Sequence, residues 1–245
     1  MPEHEVWLTA LFNDYLAGLA NAILGVFNVA AENPMRPWQN WIVMELLVAA
    51  ILIVVVAILR TGLSVDNPGK LQHVFETVYG FLKDQAAEVG IQHGEKYVGY
   101  FGTVFIMILS MNLIGIIPSF ESPTMSAVVP AGMAVCTFLY YNTMGIRAMG
   151  PLKYLGHFAG PVWWLAWLLF PLEIIGNLAR LLSLTVRLYG NMYAGEQVTN
   201  VFLSLTYVVV PVIFMGLHVF VSILQAYVFT LLSMIYVSTV TSHEH

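Results

Sequence analysis

Long apolar runs decide what this chain can fold into. Residues 40–59 form an almost wholly apolar stretch that contains one carboxylate, Glu45, and is followed by Arg60. An α-helix needs about 20 such residues to cross the hydrocarbon core of a bilayer. Segments of alternating polarity, which are typical of a transmembrane β-barrel, are absent from the sequence. We therefore predict an all-α integral membrane protein in which residues 1–245 form a single membrane domain.

The apolar runs divide the chain into about five transmembrane helices. The first span covers 40–60 and a helical hairpin covers 97–146, whereas 161–240 form two long, tilted helices packed as an antiparallel hairpin. Residues 161–205 would reach about 68 Å as one straight helix, against a hydrocarbon thickness of about 30 Å. This segment is therefore either strongly tilted or broken, and Pro171 favours a bend.

Two segments are predicted to lie at the membrane surface. Residues 1–38 are moderately apolar and are interrupted by polar side chains and prolines, which favours an interfacial segment. Residues 61–96 are polar but carry apolar side chains at helical spacing, a pattern that predicts an amphipathic helix. Those apolar positions are Leu71, Val74, Phe75, Val78, Phe81 and Leu82.

The distribution of lysine and arginine predicts the orientation. Loops 61–96 and 147–160, with their edges, contain six basic residues, whereas the 118–125 connection contains none. Basic residues concentrate in cytoplasmic loops. We therefore expect the first two loops in the cytoplasm, the 118–125 connection outside, the N-terminus outside and the C-terminus in the cytoplasm.

The most informative stretch is 173–196, EIIGNLARLLSLTVRLYGNMYAGE, because it places charges among apolar residues. At its centre is Arg187, whose guanidinium remains protonated and cannot escape burial by losing its charge. Such a charge costs about 3 kcal/mol or more in hydrocarbon, so a functional use is expected. At 100° per residue, one helix face collects the polar side chains within about 40° of Arg187. These are Glu173, Arg180, Ser183 and Asn191.

A second polar group is predicted where the last two helices pair. Glu196 projects roughly opposite to Arg187, and the last helix carries His218, Ser222 and Gln225 at i, i+4, i+7 spacing. In an antiparallel hairpin, pairing Arg187 with Gln225 centres the turn at 206, and pairing Glu196 with His218 centres it at 207. One register therefore satisfies both pairs, with Glu196 and His218 about 13 Å further toward the external side.

Several of these residues also have a structural interpretation. Arg180 can snorkel to the cytoplasmic interface, and Ser183 and Ser222 can be small residues at a helix–helix contact. His218 alone can be a hydrogen-bonded buried histidine. Level with Glu196, however, it forms a titratable couple of the kind that marks proton paths.

Composition argues against several classes of site. The nine lysines and arginines are scattered, so no basic stripe for nucleic acid is expected. Cys136 is the only cysteine, which leaves neither a disulfide nor a cysteine metal cluster. No GxxxxGK[ST] loop is present, so we expect no bound nucleotide. No metal and no cofactor are predicted.

Three runs of the sequence resemble one family. LTVRLYGNMYAGE (184–196) and HVFVSILQAYVF (218–229) closely resemble subunit a of bacterial F-type ATP synthases, and MNLIGIIPSFESPT (111–124) is similar to a helical hairpin of that family. The similarity begins near residue 40. It implies a stator subunit in the bacterial inner membrane, without a catalytic site of its own, that faces the c-ring and contacts the b subunits of the peripheral stalk.

The resemblance also implies roles for single residues. Arg187 matches the arginine that faces the carboxylates of the rotating c-ring and separates two offset half-channels for protons. Asn191 and Gln225 match the polar residues around it. Glu196 and His218 match the external half-channel.

Glu173 matches an acidic position of the cytoplasmic half-channel.

The alternative functions are a secondary transporter or channel with its own substrate site and a haem-binding electron carrier. A transporter predicts inverted repeats, which the sequence does not show. A haem site predicts paired histidines, and His218 is the only histidine well inside a predicted span.

Overall fold

Seven α-helices and one short 3-10 helix run through the described residues of the computed structural model, which contain no β-strand. The model describes residues 5–26, 33–64, 67–91, 94–117, 119–150, 154, 164, 166–205 and 209–241. The helices are α1 (Trp7–Val26), α2 (Asn40–Thr61), α3 (Lys70–Glu88), α4 (Glu95–Ile114), the 3-10 helix (Pro123–Met125), α5 (Val128–Met149), α6 (Ala166–Leu205) and α7 (Val209–Thr241). The all-α fold is confirmed.

Four of these helices are long and apolar enough to cross a membrane, namely α2, α4, α6 and α7. The fifth predicted span corresponds to α5, which has 22 residues. It falls outside that group because tyrosine, asparagine and threonine side chains lower its hydropathy. Two polar residues of α5 contact other helices: Tyr141 donates to Asn177 of α6, and Thr137 accepts from Tyr100 of α4. Part of its polar composition therefore reflects its place in the bundle.

The centre of the bundle is α4. Half of the residues in its most apolar stretch are buried inside the protein, compared with 11% in the corresponding stretch of α6. It packs on α2, α3 and α7, while α5 packs on α6 and α7. The large side chains that fill the core include Phe101, Ile108, Met111, Tyr141, Leu188, Met192 and Phe229. Since α6 is the least covered of these helices, most of its surface is free for lipid or another subunit.

The last two helices form the predicted antiparallel pair. α6 runs unbroken for 40 residues, through Pro171, so the alternative of a broken helix is wrong for the described part of this segment. At 1.5 Å per residue α6 is about 60 Å long. The predicted centre of the turn, at 206–207, lies outside the described residues, as does most of the 147–160 loop.

The predicted amphipathic region contains α3, which docks on the core through one side. Leu82 and Ala86 are buried, and the Tyr227 hydroxyl of α7 donates to Gln85 Oε1 at 2.7 Å. Leu71 and Val74 of the predicted apolar stripe are exposed. The stripe is therefore divided between the protein core and the surroundings.

Candidate functional site

Arg187 lies on the partly covered side of α6. The helix turns Leu184, Leu188 and Met192 into the core, and the spacing of these residues matches a helix face. Arg187 is half-buried next to that face. Its Nη2 donates to Ser183 Oγ, one turn back, over a long 3.4 Å.

The positive charge of Arg187 has no acidic partner among the described residues. The three salt bridges found there join other groups: Arg36–Glu5, His73–Glu76 and Lys83–Glu95. A buried or membrane-embedded arginine normally pairs with a carboxylate or with several oxygen acceptors. The single long bond to Ser183 leaves most of the five guanidinium donors of Arg187 available.

Asn191 and Gln225 join α6 to α7. The Asn191 Nδ2 donates to Gln225 Oε1 at 2.7 Å, and Gln225 is buried on α7. The predicted register placed Arg187 opposite Gln225, and the observed hydrogen bond of Gln225 is to Asn191, one helical turn further along α6. Asn191 lies one turn from Arg187 on α6, and Gln225 Nε2 is buried without a hydrogen-bond partner in the part of the chain that the structure describes. This polar atom can donate to water.

His218 of α7 lies beside the stretch of α6 that carries Glu196. A side chain at Gly195 would place its Cβ 3.3 Å from His218 Nδ1, so the imidazole lies against the backbone next to Glu196. No salt bridge joins the two residues in the part of the chain that the structure describes. Among the described residues, neither Glu196 Oε2 nor His218 Nε2 has a hydrogen-bond partner, and both atoms are buried. Glycine at 195 permits this close approach.

Ser222 has a structural contact. It is completely buried, and its hydroxyl donates to the His218 carbonyl at 2.7 Å. This bond within one helix agrees with the packing interpretation. Ser183, by contrast, is exposed and accepts from Arg187.

Arg180 turns into the bundle. Its Nη1 lies 3.4 Å from Asn177 Oδ1, and its guanidinium lies 5.4 Å from the centre of the Tyr236 ring, a cation–π distance. Asn177 also accepts a 2.7 Å bond from the Tyr141 hydroxyl. The side chain is therefore held by contacts to α7 and to Asn177, in addition to any snorkelling.

Tyr154 lies near Arg180 and is bonded to α5. Its hydroxyl donates to Asn142 Oδ1 at 2.6 Å, and burial raises the pKa of Tyr154 to about 12. Arg180 and Glu173 are both within electrostatic range of its hydroxyl. Glu173 thus lies near Arg180, at the end of α6 opposite to Glu196.

The bundle has two further features, a buried polar cluster and an apolar groove. A buried cluster joins Asn112 to Thr124, which donates to Asn112 Oδ1 at 2.8 Å, and Ser122. An apolar groove of about 1050 Å³ lies among α2, α3 and α4, and its lining includes no residue of α6 or α7. Within the described ranges, no three histidine, cysteine or acidic side chains are grouped to hold a metal ion.

A family model for the ATP synthase A chain matches residues 42–238. The chain belongs to the ATP synthase A chain family. It is 57% identical to an ATP synthase subunit a from Solibacter usitatus (strain Ellin6076), over 96% of this chain and all of that one. It is 46% identical to an ATP synthase subunit a from Koribacter versatilis (strain Ellin345), over 99% of both chains.

The ATP synthase A chain match contains every residue of the site, from Glu173 to Gln225, and leaves α1 outside. Family membership makes the chain a membrane subunit of the ATP synthase complex that takes part in ion transport and ATP synthesis.

The sequence analysis did not identify the partners of Arg180, which are Asn177 and Tyr236, or the tyrosine and asparagine side chains of α5 around them. The pair Tyr140–Tyr141 followed by Asn142 within a predicted span was the available signal.

Proposed function

We propose that this chain is the ion-translocating stator subunit, with two offset half-channels that load and unload protons on the carboxylates of a rotating c-ring. Arg187 separates the two half-channels. The observation that carries the proposal is that Arg187 is half-buried on a helix apolar enough to span a membrane and has no acidic partner among the described residues.

The fixed charge of Arg187 has two consequences for a passing ring carboxylate. It stabilises the ionised form, because an opposite charge within about 4–6 Å lowers the pKa of a carboxyl group. A proton bound to the ring is therefore released next to Arg187. The same charge repels a hydronium ion, so protons do not cross directly between the half-channels.

The external half-channel contains Glu196 and His218 in this proposal. Both present a buried polar atom without a protein partner, and such atoms are normally bonded to water. Water bound there would connect the two groups. Asn191 and Gln225 connect this pair to the arginine, and the proton then binds to a ring carboxylate.

The cytoplasmic half-channel contains Glu173. Arg180 and Tyr154 lie close to it, and Ser183 lies between it and Arg187 on the same helix. A membrane potential supplies about 2.3 kcal/mol per proton per 100 mV, so several protons are required for each ATP. The chain works as a single membrane domain in the bacterial inner membrane, with its N-terminus outside and its C-terminus in the cytoplasm. Its partners are the c-ring and the b subunits, and this chain binds neither nucleotide nor nucleic acid.

The test is Arg187→Ala in the complete complex, assayed in inverted membrane vesicles. We expect ATP-driven proton pumping to be lost, while ATP hydrolysis by the catalytic sector detached from those membranes remains. Arg147→Ala is the matched control, because it removes the same charge at the exposed end of α5. Normal pumping by the Arg187 variant would refute the proposal.

A further inference from the structure

The N-terminal helix is joined to the 3-10 segment by one asparagine. Asn40, at the start of α2, is buried. Its Oδ1 accepts from the Val6 backbone amide at 3.2 Å, and its Nδ2 donates to Glu121 Oε2 at 2.9 Å. One side chain therefore joins three parts of the chain that are far apart in sequence.

The N-terminal segment is firmly attached at this end of the bundle. Asn13 of α1 and the Trp38 backbone exchange two hydrogen bonds, of 2.9 and 3.1 Å. Asn13 also donates to Glu5 at 2.9 Å, and Glu5 pairs with Arg36. A small apolar cluster completes the contact: Val6, Val43 and Met44, with Leu8, Phe12, Trp38, Leu47 and Phe120 against it. The position of Val6, which binds Asn40, is thus fixed.

The segment that carries Glu121 is fixed as well. Ser122 donates to the Met111 carbonyl at 2.8 Å. An added Cβ at Gly115 would lie 2.9 Å from Ser122 Cβ, so the two backbones are in close contact. The 3-10 helix that follows packs on both α2 and α6. Glu121 itself is half-buried.

This placement brings Glu121 to the half-channel. The 3-10 helix that begins just after Glu121 packs on α6, the helix that carries Glu196, and the two carboxylates are close enough to interact electrostatically. Both side chains are half-buried. Glu121 lies in the connection that is predicted to be external, whereas Glu196 lies within α6 and its Oε2 is buried. A proton arriving from outside therefore meets Glu121 before Glu196. Among the other charged or titratable groups of the described residues, His218 lies beside Gly195, the neighbour of Glu196. Glu5 and Arg36 pair with each other, and Glu5 precedes Val6, which binds Asn40.

We propose that Glu121 is the outer proton-binding residue of the external half-channel, and that Asn40, held by the N-terminal segment, positions its carboxylate. The inference rests on the proposed function and adds a residue to the same path. A hydronium ion gives its proton to the Glu121 carboxylate and leaves as water. The proton then passes to Glu196, and Glu121 returns to its ionised form.

The position of Asn40 explains its residue type. A side-chain amide can donate and accept hydrogen bonds at the same time, which is what the Val6 amide and the Glu121 carboxylate require. Leucine has similar bulk but offers neither group. Glutamine at 121 keeps the shape of the glutamate and can still bind Asn40, but it cannot accept a proton from water.

The experiment measures ATP synthesis by the complete complex in proteoliposomes at a fixed membrane potential. The pH is varied on the side of the membrane that the external half-channel faces, and this is the external pH below. Rates are normalised to the amount of assembled complex. We expect Glu121→Gln to lower the rate about tenfold at neutral external pH, since a positioned acid or base contributes at least that much to proton transfer. We also expect it to move the rate profile toward more acidic external pH.

A purely structural role would lower the curve without moving it along the pH axis. Asn40→Leu should give the same kind of shift in smaller degree, and the double variant should be no worse than Glu121→Gln alone. Glu121→Asp should restore most of the wild-type rate. Glu88→Gln is the matched control, because Glu88 is an exposed carboxylate on α3 that accepts from a glutamine amide at 2.9 Å.

The results separate this inference from the proposed function. An unshifted profile in Glu121→Gln, in a complex that Arg187→Ala still inactivates, would overturn the role of Glu121 alone. Additive losses in the double variant would overturn the role of Asn40. Normal pumping by Arg187→Ala would remove the half-channel proposal and this inference together.

Discussion

Replacing Gly145 with alanine should destabilise the protein by forcing Tyr154 out of its place. An added Cβ at Gly145 would lie 2.5 Å from Tyr154 Cε2 and 3.0 Å from Cδ2. These distances are well below van der Waals contact, so the ring or the helix must move. The ring is buried, and its hydroxyl bonds to Asn142, so movement would disturb that bond too.

The size of the effect follows from three contributions. Overpacking in a well-filled site costs about 1–3 kcal/mol, and loss of the hydrogen bond to Asn142 costs about 1 kcal/mol more. Alanine in a helix recovers up to about 1 kcal/mol relative to glycine. Gly132 lies in the same helix with open space around it. Gly132→Ala therefore gains helix stability without a clash. The free energies of unfolding of the two variants should differ by about 2–4 kcal/mol.

The assay measures the apparent melting temperature of the detergent-solubilised complex. Release of this subunit from the complex is the signal that is monitored. We expect Gly145→Ala to melt several degrees below wild type, and Gly132→Ala to melt at or above it. Tyr154→Ala should remove the clash, so that adding Gly145→Ala to it brings no further loss. Equal stability of the two glycine variants would refute this reasoning.

Two other predictions rest on single contacts. Asn191→Leu and Gln225→Leu should each lower the melting temperature, but together they should lower it by less than the sum, because their 2.7 Å bond couples them by about 1 kcal/mol; strictly additive shifts would contradict this. Tyr154 has its pKa raised to about 12 by burial, so the neutral phenol is favoured in the folded state. Stability should therefore be full below the unfolded pKa of about 10 and fall as pH rises toward 12; Tyr154→Phe should flatten this decline, and an equally steep decline in that variant would contradict it.

The sequence predicts the spans well where apolar runs are bounded by charges or prolines. The span predicted at 40–60 is observed at Asn40–Thr61, because Arg60 marks the end of an unbroken apolar run. The predicted face of Arg187, Ser183 and Asn191 depends only on helix periodicity. The hydrogen bond between Arg187 and Ser183 agrees with it.

What the sequence could not predict depends on contacts between distant segments. The bond between Asn40 and Glu121 spans 81 residues, and no local pattern indicates it. The register of the last hairpin agrees with the prediction near His218, which lies beside Gly195. Gln225, however, bonds to Asn191, one turn from Arg187, because matching residue numbers about a turn assumes straight and level helices. Gly145 looks like a weak helix former, and only the ring of Tyr154 shows why a side chain does not fit there.

The surface around Arg187 is apolar and exposed, which favours a second subunit at this site. Leu182 and Val186, on the same helix, are 60% and 61% exposed, whereas Leu184 and Leu188 face the core. An apolar surface of this kind is stable against lipid or against another apolar helix. Lipid would leave the charge of Arg187 without a counter-ion in hydrocarbon, at a cost of about 3 kcal/mol or more. An apolar helix that carries one carboxylate removes this cost while keeping the contact apolar, so we infer that the described chain holds only half of its charge pair and that the other half comes from a neighbouring subunit.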